Sequence, residues 1–293
     1  VLASDRKKLG GNHNKMTNLL PAQIKSIEAR LLNIAKGHGR SPMDQRILFL
    51  LERTLARLVL DPDLHKGLIF KGGFVGMRVY GSERFTTDID AALSGISSER
   101  AIEKIKRAML GDLADGAWFH FERQEETDAQ GDYGGLSLKF RGGLGEPPSK
   151  IEKALRIGID IGIGDPVTPS PIQKQIPQSI GEGTISWSVY PVETMIAEKL
   201  HALLFLGSRN SRSKDIYDMN LFWNKADPLA LRQAIERTFA YREFPVPQSI
   251  SEAISKIDMT ILKRGWASAI ASVSETVDFD EILASLIQKA MKI

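Results

Sequence analysis

Residues 71–90 read KGGFVGMRVYGSERFTTDID: a lysine, a glycine pair, fourteen further residues, then two aspartates one residue apart. If the second half is a strand, Asp88 and Asp90 leave the same face, about 6–7 Å apart at the backbone. Carboxylates that close repel, and a hard divalent cation between them keeps both ionised. The plain alternative for a lone D-x-D is a strand end with two solvated aspartates. Gly72 and Gly73, between a strand and a short helix, leave backbone N–H groups unobstructed at a helix N-terminus, where the dipole favours an anion. A bare tight turn is the alternative there. The spacing matches neither the Rossmann nor the P-loop pattern. Lys71, Arg78 and Arg84 are phosphate-binding candidates unless Lys71 points away from the turn and the arginines pair with nearby acids.

A third carboxylate strengthens the case. In RIGIDIGIG, Ile157, Ile159, Ile161 and Ile163 take one face of a strand, while Arg156, Gly158, Asp160, Gly162 and Gly164 take the other. Glycines on one strand face are expected where something must approach the backbone closely. If this strand lies beside residues 87–93, Asp160 joins Asp88 and Asp90 around one or two metal ions. Further on, the apolar stripe Val192, Met195, Ile196, Leu203 and Leu206 includes Lys199, which sits apart from Glu193, Glu198 and His201 on the polar side. A lysine so placed must snorkel to water or reach an anion. Ser213 suits an N-cap for KDIYDMNLFW, which makes Asp215 a first-turn acid and puts Asp218 on the same helix face. The five histidines show no metal-ligand spacing, and no G-x-S-x-G elbow is present.

These residues need elements to hold them. The 293-residue chain is 42% hydrophobic and 26% charged, enough for a substantial core. PAQIKSIEARLLNIAKGHG and, after Ser41 and Pro42, QRILFLLERTLARLVL read as helices, the second closed by Asp61-Pro62. GLIF is a short strand, FVGMRVY a helix, TDIDAAL a strand and residues 97–110 a helix. AWFHFERQEE and YGGLSLKFRG form a hairpin, followed by a Gly/Pro-rich loop at 142–148, the ALRIGIDIGIG strand and the TISWSVY strand. Helices then follow in PVETMIAEKLHALLFLG, SKDIYDMNLFW and PLALRQAIERTFAYR, with two more to the end. We expect three regions: N-terminal helices (1–64), a mixed α/β core (65–190) and C-terminal helices (191–293). Absence of cysteine excludes disulfides, thiolate metal sites and a cysteine nucleophile. The longest apolar run, ILFLL, is too short to span a bilayer, and the start lacks a signal peptide's apolar stretch, so a cytoplasmic protein is expected. Residues 1–50 carry nine Lys/Arg against three acids, an excess that suits either a phosphate backbone or a solvated face.

Together, ILFLLERTLARL, FKGGFVGMRVYG, RFTTDID, RIGIDIG, YPVETMIAEKLHALL and SRSKDIYDMNLF, in this order over about residues 20–225, resemble the AbiEii/AbiGii nucleotidyltransferase toxins, a minimal branch of the polymerase-beta-like nucleotidyltransferases. The resemblance implies an α/β (α+β) polymerase-beta-like core with a mixed sheet, flanked by helices. It implies that Gly72 and Gly73, with Lys71 and Arg84 nearby, form the phosphate-binding turn, and that Asp88 and Asp90 bind Mg²⁺ or Mn²⁺. Asp160 would be the third carboxylate, Lys199 would meet nucleotide phosphates, and Asp215 with Asp218 would be the late acidic element. Substrate would be an NTP, acceptor an RNA (a tRNA 3′ end among the candidates) or a protein, and partner a winged-helix antitoxin. Phe74 departs from the small or hydroxyl residue usual after the glycines. A D-x-D glycosyltransferase accounts for Asp88 and Asp90 but not for the glycine pair or Lys199. A non-catalytic RNA- or protein-binding module is hard to reconcile with three intact aspartates.

Overall fold

The computed structural model describes residues 19–127 and 135–293. Three helices come first: α1 (Pro21–Gly37), α2 (Pro42–Leu60) and the short α3 (Pro62–Gly67). Ser41 caps α2 by accepting from the Asp44 N–H, and Asp61 both ends α2 and caps α3 through the Asp63 and Leu64 N–H groups. Then follow β1 (Leu68–Lys71), α4 (Gly72–Val79), β2 (Asp88–Leu93), α5 (Ser98–Met109), β3 (Ala117–Thr127), β4 (Gly135–Leu144), β5 (Leu155–Ile163), β6 (Ile172–Pro177) and β7 (Thr184–Val189). The chain closes with α6 (Val192–Leu206), α7 (Ser213–Trp223), α8 (Pro228–Tyr241), α9 (Ile250–Ser255), α10 (Thr260–Ala269) and α11 (Phe279–Ala290). Three helices, not two, therefore follow α8.

The strands form one mixed sheet in the order β3-β4-β5-β2-β1-β7-β6. β2 runs parallel to β5 and β1 parallel to β7; the other neighbours are antiparallel. On one face Phe70, Ile89, Ala91, Leu138, Ile157, Ile159 and Ile161 are buried, and α2 packs against β2, β5 and β7. The isoleucine alternation in β5 thus marks the core face as expected, except that Ile163 at the strand end is 37% exposed. Residues 142–144 belong to β4 and not to a loop. A Cβ at Gly142 or Gly143 would lie 3.0 Å or 2.6 Å from the rings of Phe119 and Trp118, so bare backbone lets β3's aromatics lie flat on β4. The hairpin residues 128–134 and the basic residues Arg6, Lys7, Lys8 and Lys15 lie outside the described residues.

One buried cation ties α2 to the sheet. Arg57 places all five of its N–H donors: on the carbonyls of Arg53, Gly111 and Ala117, and on both oxygens of Asp115 at 2.9 and 3.1 Å. Its guanidinium also lies 5.0 Å from the Phe119 ring centroid. Arg57→Met would leave the Asp115 carboxylate buried without its main partner. Urea unfolding should show a loss of about 3–5 kcal/mol for the single variant, and Arg57→Met with Asp115→Leu should recover much of it; equal losses in both would contradict this account.

Candidate functional site

Strand register gathers the candidate residues on the face opposite the α2 core. Directly opposed residues on neighbouring strands point to the same side. Lys71 on β1 opposes Asp90 on β2, Asp90 opposes Asp160 on β5, and Asp160 opposes Ser137 on β4. The adjacent row on the same face is Asp88, Gly158 and Lys139. Asp88, Asp90 and Asp160 are therefore neighbours, as expected if the two aspartate-bearing strands pair.

The glycines make this crowding feasible. Gly72 has φ +71°, a conformation costly for any residue with a Cβ. A Cβ there would also overlap the Asp90 carboxylate and lie 2.8 Å from Asp90 Cβ. The turn is bare because Asp90 occupies the space a side chain would need. A Cβ at Gly158 would overlap Asp88 Oδ1 and lie 3.0 Å from Lys139 Nζ, and one at Gly162 would lie 3.4 Å from Lys71 Nζ. The cleared face of β5 is thus occupied by the charged groups of its neighbours. Gly73, in the first turn of α4, lies close to Thr86 and Arg84, and Lys71 at the N-cap provides no side-chain cap for that turn. Phe74 points the other way: it is buried and meets Trp187 edge-on at 5.8 Å, so its bulk fills core beneath the turn.

The carboxylates are not equivalent. Burial, then the nearby charges of Asp160 and Asp88, push the Asp90 pKa above the ordinary carboxylate value, with Lys71 opposing. Asp160 accepts from Ser137 Oγ and from Lys139 Nζ at 3.2 Å. Asp88 accepts from Thr87 Oγ1 at 3.1 Å. Lys71 does lean away from the turn, bonding both oxygens of Glu198 at 3.1 and 2.9 Å and lying 3.5 Å from Asp165. Burial opposes its charge, but Glu198 and Asp165 outweigh it and raise its pKa. Among the described residues, no group of three or more His, Asp or Glu side chains, the three aspartates included, is placed to hold a metal ion. Asp88 and Asp90, side by side on one face of β2 with Asp160 next to Asp90, nonetheless offer the carboxylate oxygens that a Mg²⁺-type ion takes. Such an ion takes one or two carboxylates and completes its shell with water and substrate phosphates.

A second charged cluster comes from the C-terminal helices. Lys199 does not snorkel: its Nζ meets Asp215 Oδ1 at 2.5 Å and Asp218 Oδ2 at 3.0 Å. Burial works against this charge, yet the two aspartates raise the lysine pKa. Asp215, also bonded by Arg212 Nε at 2.6 Å, is held well below the usual carboxylate range because Lys199 and Arg212 outweigh its burial. Arg84 makes a bidentate bond to Asp218 at 3.1 and 2.9 Å, and Arg78 pairs with Glu52, so both arginines have acid partners. Two helix-level expectations are corrected. Ser213 is not the cap of α7: Arg212 holds that position without a side-chain cap, and the Ser213 hydroxyl donates to Leu262 O. Nor does α6 have a solvated polar side, since Glu193 and His201 are buried under the packing of α8. Sequence reasoning missed Ser137, Lys139, Asp165, Arg212 and Arg242; the alternation of LSLKF, which puts Ser137 and Lys139 on one face, was the available signal for two of them.

Between these clusters lies a cleft of about 550 Å³ lined by Lys71, Gly72, Asp90, Glu198, Lys199 and Arg212, among others. On its wall Arg242 donates to His201 Nδ1 at 3.2 Å and pairs with Asp165 at 2.9 Å. Arginine can only donate, so Nδ1 is the unprotonated nitrogen of the ring. Burial and the Arg242 charge lower the His201 pKa from 6.5 to about 4, with Asp165 opposing. Between those values the unfolded chain binds a proton that the folded chain does not, so stability falls as pH drops from 6.5 toward 4. Chemical unfolding across that range should show a shallower loss for His201→Gln than for wild type; parallel profiles would contradict the assignment.

Residues 53–285 match the family model described as nucleotidyl transferase AbiEii toxin, type IV TA system. No curated protein matches the chain. Among solved structures, JHP933 from Helicobacter pylori shares 13% identity over 82% of this chain and 87% of that one, with a TM-score of 0.44. A second H. pylori protein, provisionally described as a nucleotidyltransferase, shares 15% identity over 82% of this chain and 90% of that one, with a TM-score of 0.45. Likeness at that level is too general to bear on the site. The family match covers most of the described chain and sets aside both the glycosyltransferase and the non-catalytic readings. The protein belongs to the AbiEii family, the nucleotidyltransferase toxins of type IV toxin–antitoxin systems.

Proposed function

We propose that this nucleotidyltransferase moves a nucleoside monophosphate from an NTP to a hydroxyl of a macromolecular acceptor, with RNA, including a tRNA 3′ end, ahead of protein. The observation that carries the reading is the row Lys71–Asp90–Asp160, bordered by the bare Gly72 turn and opening on the cleft. In this reading Asp88 and Asp90 hold Mg²⁺ or Mn²⁺. The bound ion would offset triphosphate charge, favour in-line attack of the acceptor hydroxyl at the α-phosphate, and stabilise the pyrophosphate that leaves as the α–β phosphoanhydride bond breaks. Gly72 and Gly73 offer the first-turn N–H groups of α4 to phosphate oxygens. Asp160 lies beside them to orient and accept the proton of the attacking hydroxyl, held in place by Ser137 and Lys139. Lys199 presents its charge to the phosphates, with Asp215 and Asp218 fixing where its ammonium sits. Arg84 anchors Asp218 in turn.

Exposed basic residues in α1, Lys25, Arg30 and Lys36, suit an RNA acceptor. No helix among the described residues is long and apolar enough to cross a membrane, and the working place proposed here is the cytoplasm. A winged-helix antitoxin is the proposed partner.

The test is incubation with each α-labelled NTP, Mg²⁺ and either total RNA or RNA-depleted extract. Label should enter the RNA fraction with at least one NTP, and Asp90→Ala should reduce it by at least about 10²-fold, the scale of losing one charge-stabilising group. Equal labelling by wild type and variant, or no label with any NTP, would contradict the reading. Label confined to protein would move the acceptor to that class.

A further inference from the structure

The cleft wall carries one exposed aromatic ring that phosphate chemistry does not use. Phe205 is 39% exposed at the C-terminal end of α6 and lines the same cleft as Gly72, Asp90 and Lys199. Exposing an aromatic ring on a wall otherwise rich in charge costs hydrophobic free energy, which a flat occupant would recover. The ring is also fixed. One face stacks on His201, with centroids 5.6 Å apart and planes 15° from parallel, and its edge meets Phe244 at 6.1 Å and 79°. His201 is itself wedged edge-on between Phe239 and Phe244, both at 5.3 Å. A ring held by its neighbours and 39% exposed on a cleft wall can serve as a stacking platform, and it loses little freedom when something flat lies on it.

Its position along the helix fits a nucleotide. Glu198, Ala202 and Phe205 follow at four and three residues, so they share the cleft-facing side of α6. Phe205 lies six residues beyond Lys199, about 9 Å along the axis. That separation suits a ligand with its phosphates at one end and a planar ring at the other. Arg212 and Arg242 border the same stretch of wall.

We propose that Phe205 stacks the nucleobase of the bound NTP, so that α6 reads both ends of the substrate: charge through Lys199 and the base through Phe205. This rests on the nucleotidyl-transfer reading above. Because every base has a stacking face, the platform admits more than one NTP, and any strong preference must come from edge contacts elsewhere.

Equilibrium binding without acceptor tests it. The probes are labelled ATP, GTP, CTP and UTP in Mg²⁺, with inorganic tripolyphosphate as a base-free competitor. Phe205→Ala should weaken whichever NTP binds by about 5- to 100-fold and leave tripolyphosphate affinity unchanged, while Phe205→Trp should stay near wild type. NTP affinity unchanged in Phe205→Ala would overturn the proposal. Parallel loss of NTP and tripolyphosphate affinity would also overturn it, by making the role structural. Wild type that binds no NTP would remove the nucleotidyl-transfer reading and this proposal together, whereas wild-type binding that survives in Phe205→Ala removes this proposal alone.

Discussion

Mutual repulsion among Asp88, Asp90 and Asp160 is the constraint on which the rest of the structure turns. Parallel pairing of β2 with β5 sets Asp90 directly beside Asp160 and Asp88 beside Gly158. Left alone, three carboxylates on neighbouring positions would repel one another. The surroundings answer that charge residue by residue. Lys139 meets Asp160, Lys71 lies across from Asp90, and glycines stand wherever a Cβ would collide with a carboxylate or a lysine. Asp90 still carries an unfavourable environment for its charge, and the carboxylates set side by side by the strand register are the basis for proposing a cation there.

The second cluster shows the opposite balance. Lys199, Arg84 and Arg212 face Asp215 and Asp218, and the paired charges hold one another ionised despite burial. Such pairs contribute little net stability, because desolvation offsets the attraction. What they fix is geometry: α6 and α7 are joined through side chains that also lie beside the cleft. The same helix α6 carries Lys71's partner Glu198, so the strand-borne and helix-borne halves of the site are linked through one element.

Much of this was legible in the sequence. The i, i+2 spacing of Asp88 and Asp90 and the isoleucine–glycine alternation of RIGIDIGIG place side chains by local geometry alone, and both hold. Lys199 was conspicuous because a charge on an apolar stripe needs a partner; the partners lay beyond reach of inspection, since Asp215 and Asp218 depend on how α6 and α7 pack. Register across distant strands was likewise hidden, which is why Ser137 escaped notice despite sitting opposite Asp160. β6, IQKQIP, buries only Ile176 fully and ends in proline, so its pattern is too weak to read as a strand. The cap expected at Ser213 failed because a tertiary partner, the Leu262 carbonyl, took the hydroxyl. Arg57 is invisible as a core residue for the same reason: its partners Gly111, Asp115 and Ala117 are brought to it only by the fold.

Our central proposal is that Asp88 and Asp90 carry a metal-bound triphosphate against the Gly72–Gly73 turn. A crystal structure with Mn²⁺ and a non-hydrolysable NTP analogue tests it most directly. The account predicts an anomalous Mn²⁺ peak within about 2.0–2.3 Å of oxygens from both aspartates, with phosphate oxygens in hydrogen-bonding range of the α4 N-terminal N–H groups. A nucleotide bound elsewhere, or one held in the cleft with no metal at Asp88 and Asp90, would contradict it.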